Sequence, residues 1–283
     1  MPHHFLFTFV LYRKHTILME KLHNLDEKDF QAILNYKDLL LTNAKKLGSL
    51  DPNDHYWKDL INETGLERNG MFLESNMVES WVGATRKPKR ILEIGTRTGG
   101  SLIALLCVYP KSDFEKIEEV LSFDMWREYV STTPLATFLS RLMGKKRNIN
   151  ISERFTKWVG SYVEKASTGK VLKNLASFNI PTNKIKFISG DSTVTVPEYF
   201  AKNPDKKFDY VLVDGGHTVD IATKDLDNVV AHVDKGGIIL FDDIMPESYN
   251  LIGVWNKFKE KNRNDFDFFE IQSRKGIAFA IKK

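Results

Sequence analysis

The sequence predicts a doubly wound α/β fold: a mostly parallel sheet with helices on both faces, finished by an antiparallel hairpin. Three observations carry this. Short, wholly apolar runs alternate with segments of helical spacing, the pattern of parallel strands buried on both faces. The first such run, Ile91 to Ile94, passes through the turn Gly95-Thr96-Arg97-Thr98-Gly99-Gly100 into Ser101-Leu102-Ile103-Ala104-Leu105-Leu106, so strand, tight loop and helix start follow in order. The last two strand-like segments, Phe268 to Gln272 and Gly276 to Ile281, are separated only by Ser273-Arg274-Lys275, which forces an antiparallel pair.

Composition narrows the class. A chain of 283 residues, 42% hydrophobic and 28% charged, can bury a substantial core as an ordinary globular protein. Its 41 basic and 37 acidic residues are interspersed rather than blocked, which speaks against a nucleic-acid surface. The lone Cys107 lies within an apolar run; this excludes a disulfide framework and fits a buried, inert thiol in a reducing cytoplasm. The run Phe5 to Tyr12 is too short for a membrane span and lacks a small-residue cleavage site. Met19 precedes a normal helical segment, so residues 1–18 are expected to be a disordered tail or a mis-assigned start.

Residues 19–85 are expected to form N-terminal helices. Asp26-Glu27-Lys28-Asp29 supplies a cap and first-turn acids; Phe30, Ile33, Leu34, Leu40, Leu41 and Ala44 follow at three- and four-residue spacing until Gly48. A further helix over 70–85 leads into the glycine strand, and its Glu74 reads either as a solvated acid or as a ligand contact. Residues 86–283 form the main domain. After the glycine-loop helix, Glu119 to Asp124 is a second strand ending in an acid, with Met125 beside it. About sixty residues separate it from the strand Lys184 to Asp191, where one crossover helix would suffice. Gly169 to Phe178 reads as that crossover, which leaves 126–168 as a helical insertion: a substrate-site wall, or a hairpin that thickens the fold or makes a contact between copies in a homo-oligomer. The strand Lys207 to Val213 ends in Asp214-Gly215-Gly216-His217; a helix from Asp220 to Val233 follows. Gly236 to Asp243 is a strand with a double acid at its end, and a helix near Asn250 to Phe258 precedes the hairpin.

The glycine turn points to a nucleoside or nucleotide pocket, because glycines allow a ligand close to the backbone and the loop N–H groups favour an anionic group. A dinucleotide fingerprint G-x-G-x-x-G would place a glycine where Arg97 stands. The pattern is instead E-x-G-x-x-x-G, from Glu93 through Gly95 to Gly99. Asp124 suits ribose, since one carboxylate can accept from two hydroxyls; it follows Gly95 by roughly thirty residues rather than the usual 20 or so, the excess lying in the polar stretch Lys111 to Lys116. A plain structural turn at the loop, and a turn-capping Asp124, remain the alternatives.

In this order the motifs resemble those of class I S-adenosylmethionine-dependent methyltransferases, a Rossmann-like fold. They are most similar to the small-molecule O-methyltransferases of the macrocin-type sugar and catechol-like subgroup, whose likeness covers roughly residues 70–283. The resemblance implies that Glu93, Gly95, Thr96, Arg97, Gly99 and Ser101 cradle the methionine end of S-adenosylmethionine. It places Asp124 and Met125 at the ribose, Asp191 and Ser192 at the adenine, and Asp214 between cofactor and acceptor. It implies transfer of a methyl group to a hydroxyl of a small molecule, sugar or phenol. No N-P-P-[YF] tetrad is present, which argues against methylation of nucleobase or glutamine amino groups. A dinucleotide-dependent oxidoreductase and a catalytically silent nucleoside-binding scaffold are the competing functions.

Three acids at the ends of two strands suggest a metal. If those strands are neighbours about 4.8 Å apart, Asp214, Asp242 and Asp243 can converge, and three close carboxylates suit Mg²⁺ or another hard divalent cation. His217, with an ordinary pKa near 6.5, is the candidate general base. The alternatives are an Asp242 or Asp243 that caps the following turn, and a His217 that caps a helix.

Overall fold

The computed structural model describes residues 22–23, 74–126, 128–132, 161–246, 249–271 and 275–283. The expected tail and start site, the helix from Asp26 to Gly48 and the interior of the insertion lie outside the described residues.

An eight-stranded sheet forms the centre. Its order is β6 (Ile185–Ser189), β3 (Glu119–Asp124), β2 (Arg90–Ile94), β7 (Phe208–Val213), β8 (Val233–Asp242), β10 (Ile277–Lys282), β9 (Phe266–Ile271) and β1 (Leu22–His23). The five strands from β6 to β8 pair in parallel, and β10 enters antiparallel between β8 and β9. The expected hairpin is therefore present, and its β10 fills the gap beside β8. The two-residue β1 adds an antiparallel edge to β9 within a stretch expected to be wholly helical.

Alternation along the strands builds two cores. Ile91, Tyr210, Leu212, Ile238, Leu240 and Phe279 face one side, where they meet α1 (Glu74–Thr85), α2 (Gly100–Leu106) and α4 (Thr168–Ser177). Leu92, Ile94, Val211, Val213, Ile239 and Phe241 face the other, against α5 (Ser192–Lys202), α6 (Val219–Val230) and α7 (Ile252–Asn262). The short α3 (Lys111–Phe114) sits in the polar stretch before β3. On the second face Trp255 is fully buried and its Nε1 donates to Glu270 Oε1 at 2.9 Å, so the indole has a partner for its one polar atom. The sequence placed the end of α6 at Val233; the helix stops at Val230 because the His232 carbonyl already accepts from Phe208 N at 2.8 Å, drawing the chain into β8.

The insertion differs from the helical expectation at its stem. Here β4 (Glu128–Thr132) pairs antiparallel with β5 (Ser161–Lys165) as a separate two-stranded sheet. The segments Glu128-Tyr129-Val130-Ser131-Thr132 and Ser161-Tyr162-Val163-Glu164-Lys165 are rich in β-branched and aromatic residues, and that strand preference prevails over the helical reading.

Gly95 holds the sheet and loop together. Its φ is +94°, and a methyl group added there would come to 1.8 Å from the Asp214 carbonyl oxygen, which is backbone and cannot swing away. Gly95→Ala is expected to destabilise the protein by about 2–3 kcal/mol from strain and overpacking combined. Urea denaturation would measure it, and an unchanged midpoint would contradict the packing described.

Candidate functional site

The parallel strands deliver their last residues to one edge at one level. Ile94 pairs with Phe123 on one side and with Val213 on the other, and Val213 pairs with Phe241. Gly95, Asp124, Asp214 and Asp242 therefore leave or end the sheet side by side. Between β2 and β7 the strand order reverses, since β3 and β6 lie to one side and β7 and β8 to the other; ligands of doubly wound sheets bind outside the carboxyl ends at such a point. A cavity of about 340 Å³ opens there.

The residues expected at the site mostly line this cavity: Gly95, Thr96, Arg97, Ser101, Asp124, Met125, Asp191, Ser192, Asp214, His217, Asp242 and Asp243 all do. Glu93 and Gly99 do not. Gly99 instead caps α2 with φ 86°, and Glu93, one residue short of the strand end, lies 1% exposed on the inner face. Neither Glu93 oxygen has a hydrogen-bond partner among the described residues. Burial lifts its carboxyl to about 8, with the nearby Thr96 hydroxyl opposing and the Asp214 and Asp124 charges adding.

The cofactor end of the cavity is built by the loop. Arg97 takes a left-handed conformation, φ 50°, in the place where a dinucleotide loop has glycine, and its N–H donates to Asp124 Oδ2 at 2.6 Å. Trp126 N donates to the other oxygen, so the Asp124 carboxylate is held by two backbone groups while its remaining lone pairs can face a ligand. Thr96 Oγ1 is spent on Ser122 Oγ at 2.5 Å and is buried, which leaves the Thr96 backbone for the pocket. Asp191 caps α5: its Oδ1 accepts from Thr193 N at 2.9 Å and from Thr193 Oγ1 at 2.8 Å. Met125, 45% exposed, lies at the wall beside Asp124.

The other end is acidic. His217 Nε2 lies 3.3 Å from Asp214 Oδ1 and 3.0 Å from Asp243 Oδ2, and these three offer ligand atoms within 4.8 Å of one another. Asp243 is 2% exposed and left-handed, φ 62°, a strained conformation that the turn after β8 imposes. It swings away from the direction Asp242 takes. Asp242 Oδ1 accepts from Ser75 Oγ on α1 at 2.7 Å and from Asp243 N at 2.9 Å, so Asp242 is tied to the helix and stands outside the three-residue cluster. The donor set brought together is thus two carboxylates and an imidazole, where three carboxylates were expected.

Burial raises Asp214, the His217 hydrogen bond opposing and the Asp243 charge adding; burial with the charges of Asp214 and Asp243 lifts Asp242 to about 7. Burial alone would lower His217, but hydrogen bonds to Asp214 and Asp243 outweigh it and hold the imidazole up to about 9, protonated at neutrality. Lys275 adds a cation 3.7 Å from Asp243 Oδ1. Two carboxylates, a protonated imidazole and an ammonium thus meet at this end of the cavity.

Several cavity residues escaped sequence reasoning. Ser75 and Asn76 come from the first turn of α1, Lys275 from the hairpin and Tyr249 from the turn before α7. Tyr249, 54% exposed, stacks on His217 with ring centroids 3.8 Å apart and planes 13° from parallel. An exposed aromatic among polar turn residues was the one available signal.

A family profile described as a methyltransferase domain matches residues 92–244, just over half of the chain. No curated protein matches it. Among solved structures, the O-methyltransferase NovP is similar at 16% identity, over 79% of this chain and 82% of its own, with a TM-score of 0.50. An O-methyltransferase from Bacillus cereus in complex with SAH aligns at 11% identity over 87% and 91%, TM-score 0.49. TomG from Streptomyces achromogenes, in complex with SAM, aligns at 15% over 74% and 79%, TM-score 0.45. Identities this low speak to the fold alone. The profile match, the E-x-G-x-x-x-G loop and the sheet order agree: the chain belongs to the methyltransferase-domain family, in its class I, S-adenosylmethionine-dependent form.

Proposed function

We propose that the protein moves a methyl group from S-adenosylmethionine to a hydroxyl of a small molecule, a sugar or a phenol, with help from a divalent cation. The observation that carries this reading is the meeting, in one cavity, of the Gly95 loop and Asp124 with the cluster Asp214, His217 and Asp243. The cofactor supplies an electrophilic methyl on a positively charged sulfur. The chain's own residues do the rest. Asp124, oriented by the Arg97 and Trp126 amides, accepts from ribose hydroxyls; Ser192 and Asp191 stand at the nucleobase end; and Asp214, where the two ends of the cavity meet, favours the sulfonium charge.

Asp214, Asp243 and His217 fit a divalent cation in that they can offer three donor atoms close together. The mixed oxygen and nitrogen set also suits Mn²⁺ or Zn²⁺, so Mg²⁺ follows less directly than from three carboxylates. The carboxylates that raise His217 are the ones that would hold the cation. The His217 Nε2 that faces them serves one role at a time: as a ligand it gives up the base role, and as the base that takes the acceptor's proton it leaves the cation to Asp214 and Asp243. Tyr249 on His217 offers a flat apolar face to a phenol or a sugar ring at the cavity mouth. No helix among the described residues is long and apolar enough to cross a membrane.

The test is methyl transfer from isotopically labelled S-adenosylmethionine to a panel of phenols and sugars, before and after chelation, with Mg²⁺, Mn²⁺ or Zn²⁺ added back. An oxygen-linked label lost on chelation and restored by one ion is expected; full activity after exhaustive chelation would remove the metal. Asp124→Ala should weaken S-adenosylhomocysteine by about ten- to a hundredfold, the loss of charge-assisted contacts of about 1.5–3 kcal/mol. Calorimetric titration reads it, and wild-type affinity in that variant would contradict the ribose assignment.

A further inference from the structure

Beneath the nucleobase end of the cavity lies a carboxylate that the proposed chemistry leaves unused. Asp225, in the middle of α6, is 0% exposed, and neither of its oxygens has a hydrogen-bond partner among the described residues. It lies against the cavity floor. A methyl group placed on Gly215 would meet Ile94 Cγ2 at 2.8 Å, Asp225 Oδ2 at 3.0 Å and Ser192 Oγ at 3.8 Å, so the acid, the serine hydroxyl, the Ile94 methyl and the glycine backbone bound one small gap. Gly215 and Ser192 both line the cavity, as does Ile221, one helical turn before Asp225.

This arrangement is costly. A buried carboxylate without a partner forfeits its hydration with nothing in return, and an apolar side chain of similar size would serve the packing of α6 better. Burial lifts Asp225 to about 6; the Ser192 hydroxyl pulls the other way yet stands outside hydrogen-bond geometry, and the Asp191 charge adds to the rise. The acid is close to one donor, the Ser192 hydroxyl, that it does not engage.

We infer that Asp225 is a positioning residue for the adenine end of the cofactor, accepting the hydroxyl hydrogen of Ser192 so that the serine oxygen presents its lone pairs to the nucleobase. An adenine edge offers an exocyclic amino donor, and a serine hydroxyl free to rotate could meet it as donor or acceptor. Fixed by Asp225, it meets the amine only as acceptor. Gly215 keeps the gap open: a side chain there would stand between the two groups. This inference rests on the proposed cofactor reading.

The experiment titrates S-adenosylhomocysteine into full-length wild type, Asp225→Asn, Ser192→Ala and the double variant, and melts each without ligand. Asparagine keeps the shape and one acceptor oxygen while removing the charge. Asp225→Asn is expected to weaken binding about three- to fivefold while raising the ligand-free melting temperature. Ser192→Ala should weaken it about tenfold, and the double variant no further than Ser192→Ala alone, because the two act as one unit. A purely structural acid would behave otherwise: Asp225→Asn would lower the melting temperature and leave affinity unchanged. Unchanged affinity in Asp225→Asn, or losses that add in the double variant, overturns the inference while the cofactor reading stands. A wild type that does not bind S-adenosylhomocysteine overturns both.

Discussion

Asp214→Asn is expected to lower kcat/KM for methyl transfer by about a thousandfold, in the range of 10²–10⁴ for loss of a positioned acid–base or charge-stabilising group. The side chain stands where the two halves of the cavity meet. It follows β7 directly, its backbone N donates to the Ile94 carbonyl at 2.9 Å, and its carboxylate shares His217 Nε2 with Asp243. Asparagine keeps the volume and removes the charge, so the fold and the proposed ribose contacts should persist while the proposed cation site and the orientation of His217 are lost. Steady-state kinetics together with S-adenosylhomocysteine binding separate these: activity should collapse while affinity falls far less. Turnover close to wild type would sink the role given to Asp214.

The second large effect is on stability. Glu93 is a carboxyl raised in the folded protein to about 8, against an ordinary 4.5 when unfolded. The folded state therefore binds more protons. The stabilisation this represents is complete below pH 4.5 and is lost as pH rises through about 8. Glu93→Gln cannot titrate. Wild type and variant should differ least near pH 4, and across pH 5–8 the variant should gain relative stability, to an upper bound on the order of 4–5 kcal/mol. Denaturation midpoints at pH 4.5, 6.5 and 8.5 would measure it. A constant difference across the three would mean that Glu93 is not held protonated under the loop.

The sheet was legible because its strands are short apolar runs bounded by glycine and acid, and because three residues cannot carry a crossover between the last two strands. Asp124, Asp214 and Asp242 were legible for the same reason: parallel neighbours in register bring their ends to one edge. What the sequence could not show is how adjacent residues divide at a strand end. Asp242 and Asp243 read as a pair, yet the left-handed turn at Asp243 sends one to His217 and leaves the other to Ser75. Nor could it show partners brought from afar. Ser75, Tyr249 and Lys275 reach the cavity only through the packing of α1 and the hairpin, and no spacing within their own segments reports that. The insertion read as helical, as material left over beside the crossover helix at Gly169 to Phe178, while the residues of its stem favoured strand.

The central claim is that the Gly95 loop and Asp124 form a site for S-adenosylmethionine. Its most direct measurement is calorimetric titration of the full-length protein with S-adenosylhomocysteine and, separately, with NAD and NADP. Saturable binding of S-adenosylhomocysteine at one site per chain, with no heat from either dinucleotide, is the result expected; tight binding of NAD or NADP without binding of S-adenosylhomocysteine would contradict it.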